Sequence, residues 1–171
     1  MEINLEELAE FLVKAKKATY AGNGKEVTPE RPGFKELGYS EGLWNYRDSY
    51  IGYYSGHGDE VVRLSGLPIW HMSYNWHLPT YSSDRSEEIF GFLKDALSNV
   101  EESMPFRGPR SFHDERYKYS LCGPVQPDDS IYSSIDRIIK SFSGKEKIRT
   151  KGRESKQVYF GIFSGGLIIP K

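Results

Sequence analysis

Asp48 stands between Tyr46 and Tyr50 in a strand-like run rich in tyrosine and tryptophan. A carboxylate buried there needs an answering charge or hydrogen bonds. It either pairs with an arginine, Arg31 being the plainest partner, or it accepts hydrogen bonds from a ligand. Two guanidinium groups occur in stiff surroundings, Arg31 before Pro32-Gly33 and Arg107 inside Pro105-Phe106-Arg107-Gly108-Pro109. Each can meet an anion through a forked pair of N–H groups, or can pair with a structural carboxylate. Tyr20, Tyr50, Trp70 and Tyr74 supply aromatic faces with polar tips. Seven residues, Tyr20, Arg31, Asp48, Tyr50, Trp70, Tyr74 and Arg107, are therefore expected to converge on one cavity. It would suit a planar ligand that bears an anion and some donor groups.

Other chemistries find less support. Cys122 is the single thiol, set mid-strand, and reads as buried and inert. Ser55-Gly56-His57-Gly58-Asp59 crowds three catalytic residue types into one run that reads as a hairpin tip. The four histidines show no metal-ligand spacing, so neither a metal nor a cofactor is expected. Gly22-Asn23-Gly24-Lys25 follows a helix end and is no P-loop, though its amides suit an anion nest near Arg31. Lys145 to Arg153 is basic but interleaved with Glu146, which reads as a solvated hairpin. The net charge of −1 gives no general attraction to nucleic acid or an anionic membrane.

The best-supported function is a non-enzymatic binding protein for a small aromatic or nucleotide-like anionic ligand, serving sensing or sequestration. A hydrolase using Asp48 or His71 as acid–base is the alternative. A protein-interaction module built on an insert at residues 124–140 is a third. The expected partner is a small molecule, and a homo-oligomer stays open.

These residues need a scaffold, and the sequence describes one by repetition. E-E-[LI]-x-x-F-L-x-x-A occurs from Glu6 and from Glu87. Y-[RK]-x-S-x-x-G occurs from Tyr46 and from Tyr117, and E-x-[VI]-R-x-x-G from Glu60 and from Glu146. Three patterns in one order indicate an internal duplication. Apolar residues at helical spacing predict helices over residues 4–17 and 85–102, capped by Asn4 and by Ser83 or Asp84. Alternation predicts strands over 43–52, 60–64, 69–76, 117–123, 147–150 and 158–169, with 25–38 as an ordered loop. The expected fold is α+β, with duplicated helix-plus-three-strand units forming one antiparallel sheet and both helices on one face. All 171 residues make one domain of two pseudo-repeats, about 4–80 and 84–169, with the insert at about 124–140. The insert's isoleucines, Ile131, Ile135, Ile138 and Ile139, suit a short amphipathic helix.

Several segments carry a family resemblance: Lys17-Ala18-Thr19-Tyr20-Ala21-Gly22, Arg31-Pro32-Gly33, Tyr46 to Gly52, Pro68 to Tyr74 and Pro105 to Pro109. Over about residues 8–165 the chain resembles a bacterial domain family of unknown function, found alone or attached to helix-turn-helix regulators. The resemblance implies no activity, and by association it implies a sensor role. The single cysteine, the acidic stretch from Glu2 to Glu7 and the lack of a long apolar run lead to a cytoplasmic expectation.

Overall fold

A computed structural model describes residues 3–22, 24–125 and 138–168. Helix α1 (Leu5–Ala18) leads into β1 (Glu26–Val27), β2 (Lys35–Glu41), β3 (Trp44–Gly52), β4 (Ser55–Leu64) and β5 (Leu67–His77). A 3-10 turn, Thr80–Arg85, precedes α2 (Ser86–Leu97). Then come β6 (Ser111–His113), β7 (Tyr117–Val125), β8 (Ser141–Thr150) and β9 (Gln157–Leu167). Among the described residues the strands form one antiparallel sheet of nine in the order β1-β2-β3-β4-β5-β9-β8-β7-β6. Each half is thus a helix followed by a meander, and the meanders meet through their last strands, β5 and β9. Both helices cover the same face: Lys16 of α1 and Leu93 of α2 border one cavity above the sheet.

The α+β class and the single antiparallel sheet match the sequence reading. The strand count does not, because β1 and β2 lie in the stretch expected as loop and β6 was not foreseen. In β2, Leu37 and Tyr39 do alternate toward the helices, but Pro29, Pro32 and Gly33 ahead of them suggest a loop. The repeated motifs also differ in pairing. Asp48 lies opposite Glu60, whereas their motif counterparts Tyr119 and Glu146 lie opposite Ile148 and Leu121.

Helix α1 begins as expected, with Asn4 Oδ1 accepting from the amides of Glu6 at 3.1 Å and Glu7 at 3.3 Å. Helix α2 departs at both ends. Ser83 and Asp84 belong to the 3-10 turn, and no side chain caps the first turn. The helix stops at Leu97 because Ser98 and Asn99 fold their side chains back onto the Asp95 carbonyl, at 2.7 and 2.8 Å. Ser55 to Asp59 is not a hairpin tip but the first half of β4. Cys122 is exposed rather than buried. The helix expected within the insert falls mainly on residues 126–137, outside the described ones; Ile138 and Ile139 are buried.

The core lies between the helices and the sheet. Trp70 and Met72 point into it, and both are fully buried. Trp70 stacks on Phe142 at 5.7 Å and Phe106 at 6.5 Å, joining β5 to β8 and to the loop after α2. Glycines on the same face let rings lie flat on the sheet. A Cβ at Gly58 would come within 2.3 Å of the Tyr74 ring, and one at Gly56 within 2.3 Å of Trp76. Gly144 stands in the same relation to Phe163, at 2.4 Å.

Trp70→Ala should destabilise the protein by about 3–5 kcal/mol, the usual range for an aromatic ring removed from a core. Urea denaturation measures this; a midpoint unchanged from the wild type would show that Trp70 is no core element.

Candidate functional site

The sequence places charged residues at positions that the sheet turns inward. In β3 and β4, Tyr46, Asp48, Glu60 and Val62 share the helix-facing side, because Tyr46 pairs with Val62 and Asp48 with Glu60. Glu146 of β8 occupies that side in the second half. Two cations reach down to meet these carboxylates, Lys16 from α1 and Arg107 from the loop after α2. All five side chains belong to residues at most 8% exposed.

The pairing is specific. Lys16 Nζ donates to Glu60. Arg107 donates to Glu146 Oε1 through Nε at 3.2 Å and Nη2 at 2.7 Å. Tyr119 and Tyr159 complete the Glu146 shell, donating at 2.8 and 2.9 Å. The Arg107 guanidinium also lies 5.2 Å from the centre of the Tyr74 ring. Tyr74 in turn donates to Asp48 Oδ1 at 2.6 Å. Among the described residues, no group donates to Asp48 Oδ2.

Burial raises the Glu146 carboxyl, but the Arg107 charge and the three donor side chains more than offset it and hold the group below the usual range. Asp48 goes the other way. Burial and the adjacent Glu60 charge push it from 3.8 up to about 7, against the Tyr74 hydrogen bond and the charges of Lys16 and Arg107. A carboxyl pushed toward neutrality inside a cavity is a candidate functional group on physical grounds.

The cavity encloses about 530 Å³. Asp48, Glu60, Lys16 and Arg107 form its polar floor. Phe90, Leu93 and Leu97 of α2 form one wall, with Tyr20 and Ala21 of the turn after α1 beside them. Tyr50, Tyr74 and Trp76 supply rings from the sheet and Tyr53 one from the β3–β4 turn, and Lys35 and Glu87 also border the space. Tyr50 meets Trp76 edge-on at 6.4 Å, and Tyr74 stacks with Trp76 at 6.1 Å.

Five of the seven expected residues border this cavity: Tyr20, Asp48, Tyr50, Tyr74 and Arg107. Trp70 does not, because it is spent on the core beneath. Arg31 does not either. It bonds Asp59 Oδ2 at 3.0 Å and covers the Phe34 ring at 4.2 Å, on the sheet face turned away from the helices. Alternation along β4 explains this, since Asp59 points opposite to Glu60. Asp48 therefore does not pair with Arg31. His71 joins Asp59 at 3.2 Å on that outer face, beside a second depression of about 600 Å³ lined by His57, Ser73 and Cys122. That depression holds none of the buried charge pairs.

Sequence reasoning missed Lys16, Glu60, Glu146, Trp76 and Phe90. The repeated motif did mark Glu60 and Glu146 as counterparts, and two-residue spacing from Val62 and Ile148 put each on a buried face. Among the described residues, no group of three or more His, Cys, Asp or Glu side chains is placed to hold a metal ion. No described helix is long and apolar enough to cross a membrane.

The chain belongs to a family described as a domain of unknown function (DUF5680), whose model matches residues 48–168. That span contains Asp48, Glu60, Tyr74, Arg107 and Glu146, while Lys16 and Tyr20 precede it. No curated protein and no solved structure matches the chain.

Two stability predictions follow from the charges. Glu146→Ala strands a buried guanidinium and should cost about 3–5 kcal/mol in urea denaturation. For Asp48 the folded value lies above the unfolded one, so the native state holds a proton that the unfolded chain has released. The group's contribution is then present at low pH and lost as pH rises from about 4 to about 7. The loss amounts to about 4 kcal/mol, from roughly three pH units at 1.36 kcal/mol each. Asp48→Asn should match the wild type near pH 4 and exceed it in stability at pH 8. Equal stabilities at pH 8 would show that Asp48 is not strained by ionisation.

Proposed function

We propose that this is a non-catalytic binding protein whose cavity takes a planar, aromatic, nucleobase-like small molecule, for sensing or sequestration. The observation that carries the reading is the cavity itself: a space of about 530 Å³ with aromatic walls and a hydrogen-bonding floor. Most small-molecule sites have this composition, apolar walls with a few fixed polar groups. The walls are stiff because Tyr74 and Trp76 rest directly on glycines of β4. Preset rings lose little freedom when a ligand stacks on them.

The anionic part of a nucleotide-like ligand has no place at the floor. Arg107 is committed to Glu146, and Arg31 is on the other face. An anion would sit at Lys35 instead, which is 62% exposed and only loosely paired with Glu26 at 3.3 Å. We also read the halves as descendants of one duplicated unit. The ordered motifs support this, as do the matching ring-on-glycine pairs, Gly58 with Tyr74 and Gly144 with Phe163. The sensor role fits the resemblance to domains attached to helix-turn-helix regulators.

Asp48 favours one second reading, acid–base catalysis on the bound molecule, because a carboxyl near 7 can both give and take a proton at neutral pH. His71 has no part in it, being on the outer face with Asp59.

Native mass spectrometry of the protein purified from its own cells should show a bound small molecule that denaturation releases. Incubating that molecule with fresh protein should return it unchanged. Conversion to a new mass would replace the binding reading with the enzymatic one. Undiminished retention of the molecule by a Tyr50→Ala, Trp76→Ala double variant would place the site elsewhere.

A further inference from the structure

Three buried carboxylates gather at the floor of the cavity, Asp48 and Glu60 lining it and Glu146 behind Arg107, against two cations, Lys16 and Arg107. Each cation is already claimed, Lys16 by Glu60 and Arg107 by Glu146. Asp48 is the remainder. Its cross-strand partner is Glu60, a like charge directly opposite, which is an unfavourable placement in a sheet. Tyr74 answers Oδ1, and among the described residues nothing answers Oδ2. Buried carboxylates are normally paired and hydrogen-bonded. The one direction left to Asp48 is the cavity that it borders.

Resting on the binding reading above, we infer that Asp48 selects ligands whose planar ring presents an N–H donor edge carrying positive charge, of the amidine or protonated amino-azine class. A carboxylate takes two parallel N–H groups of such an edge in one plane. The rings of Tyr20, Tyr50 and Trp76 border the same space and favour a delocalised cation over their faces. The same site disfavours an anionic ring, which would bring a further negative group to a floor that already holds Asp48 and Glu60. It gains nothing specific from a ring that lacks donors.

The groups facing Asp48 are Glu60 on β4, Tyr74 on β5, Lys16 on α1, Tyr20 after it, Arg107 after α2, and Tyr46 and Tyr50 on its own strand. Burial raises Tyr20, Tyr46, Tyr50 and Tyr74 above the ordinary phenol value, so they stay protonated near neutrality. Arg107 stays charged. Burial lowers Lys16 while the Glu60 charge partly restores it. Asp48 and Lys16 are therefore the floor groups on which a pH response of cation binding between 5.5 and 8.5 bears, and its loss in Asp48→Asn assigns the response to Asp48.

Benzamidine, indole and benzoate are similar in size and differ in charge and donors, so they serve as probes of the full chain by calorimetry or ligand-observed NMR. Benzamidine should bind at least tenfold more tightly than indole, and benzoate most weakly. Its affinity should rise about 30-fold from pH 5.5 to 8.5, following the ionised fraction of a carboxyl near 7. Asp48→Asn should remove at least tenfold of the benzamidine affinity and leave indole within about twofold. Tyr74→Phe, which deletes the internal donor and keeps the ring, should preserve the preference for benzamidine. Benzoate binding as well as benzamidine, a flat pH profile, or an unchanged Asp48→Asn affinity would each overturn the inference. Indole binding without any preference for benzamidine overturns the inference and leaves the binding reading standing. Failure of all three probes overturns both.

Discussion

Removing Glu146 from water is the constraint on which the interior is built. A carboxylate at 2% exposure needs compensation on every side, and four hydrogen bonds supply it: two from Arg107 and one each from Tyr119 and Tyr159. This shell fixes the Arg107 guanidinium, and the neighbouring Phe106, stacked on Trp70 and Phe142, anchors the same loop in the core. The fixed guanidinium then sits over the Tyr74 ring, and Tyr74 directs its hydroxyl at Asp48. One ion pair in the second half thus orients a side chain of the first half across the β5–β9 seam. Such coupling requires low local polarity, because in water the same contacts are weak and screened.

Much of the fold was legible in the sequence, less of this polar interior, and the failures have physical causes. Asn4 and the 3.6-residue periodicity identify α1 because capping and burial are local properties. Alternation finds the central strands because each has one helix-facing side. The strands that alternation missed are marginal ones: β1 has two residues, β6 has three, and β2 sits behind a Pro- and Gly-rich stretch. In the site, rings and Asp48 stood out because a carboxylate between tyrosines is chemically odd. Glu60 and Glu146 did not, since a glutamate in an alternating strand ordinarily marks the solvent side. Lys16 lies in the last turn of α1, where a lysine ordinarily serves the helix dipole, yet its ammonium reaches Glu60. Arg31 was misplaced because sequence gives no distance between a loop and a strand face.

The two halves treat the same problem differently, and the difference supports the proposed site at Asp48. The motif position occupied by Tyr119 in β7 is occupied by Asp48 in β3. Tyr119 donates to Glu146 and helps hold it ionised. Asp48 has no proton to offer once ionised, and it confronts Glu60 instead. One half therefore closes its polar interior with a complete shell, and the other leaves Asp48 with a single donor, from Tyr74 to Oδ1, beside open volume. A phenol at position 48 would bring a donor toward Glu60 and place a ring in the space that the cavity now occupies. Stability alone favours that arrangement over an unmatched charge. A charge kept at such a cost in a cavity is expected where a ligand answers it, because the strain that weakens the empty protein becomes binding energy when the partner arrives.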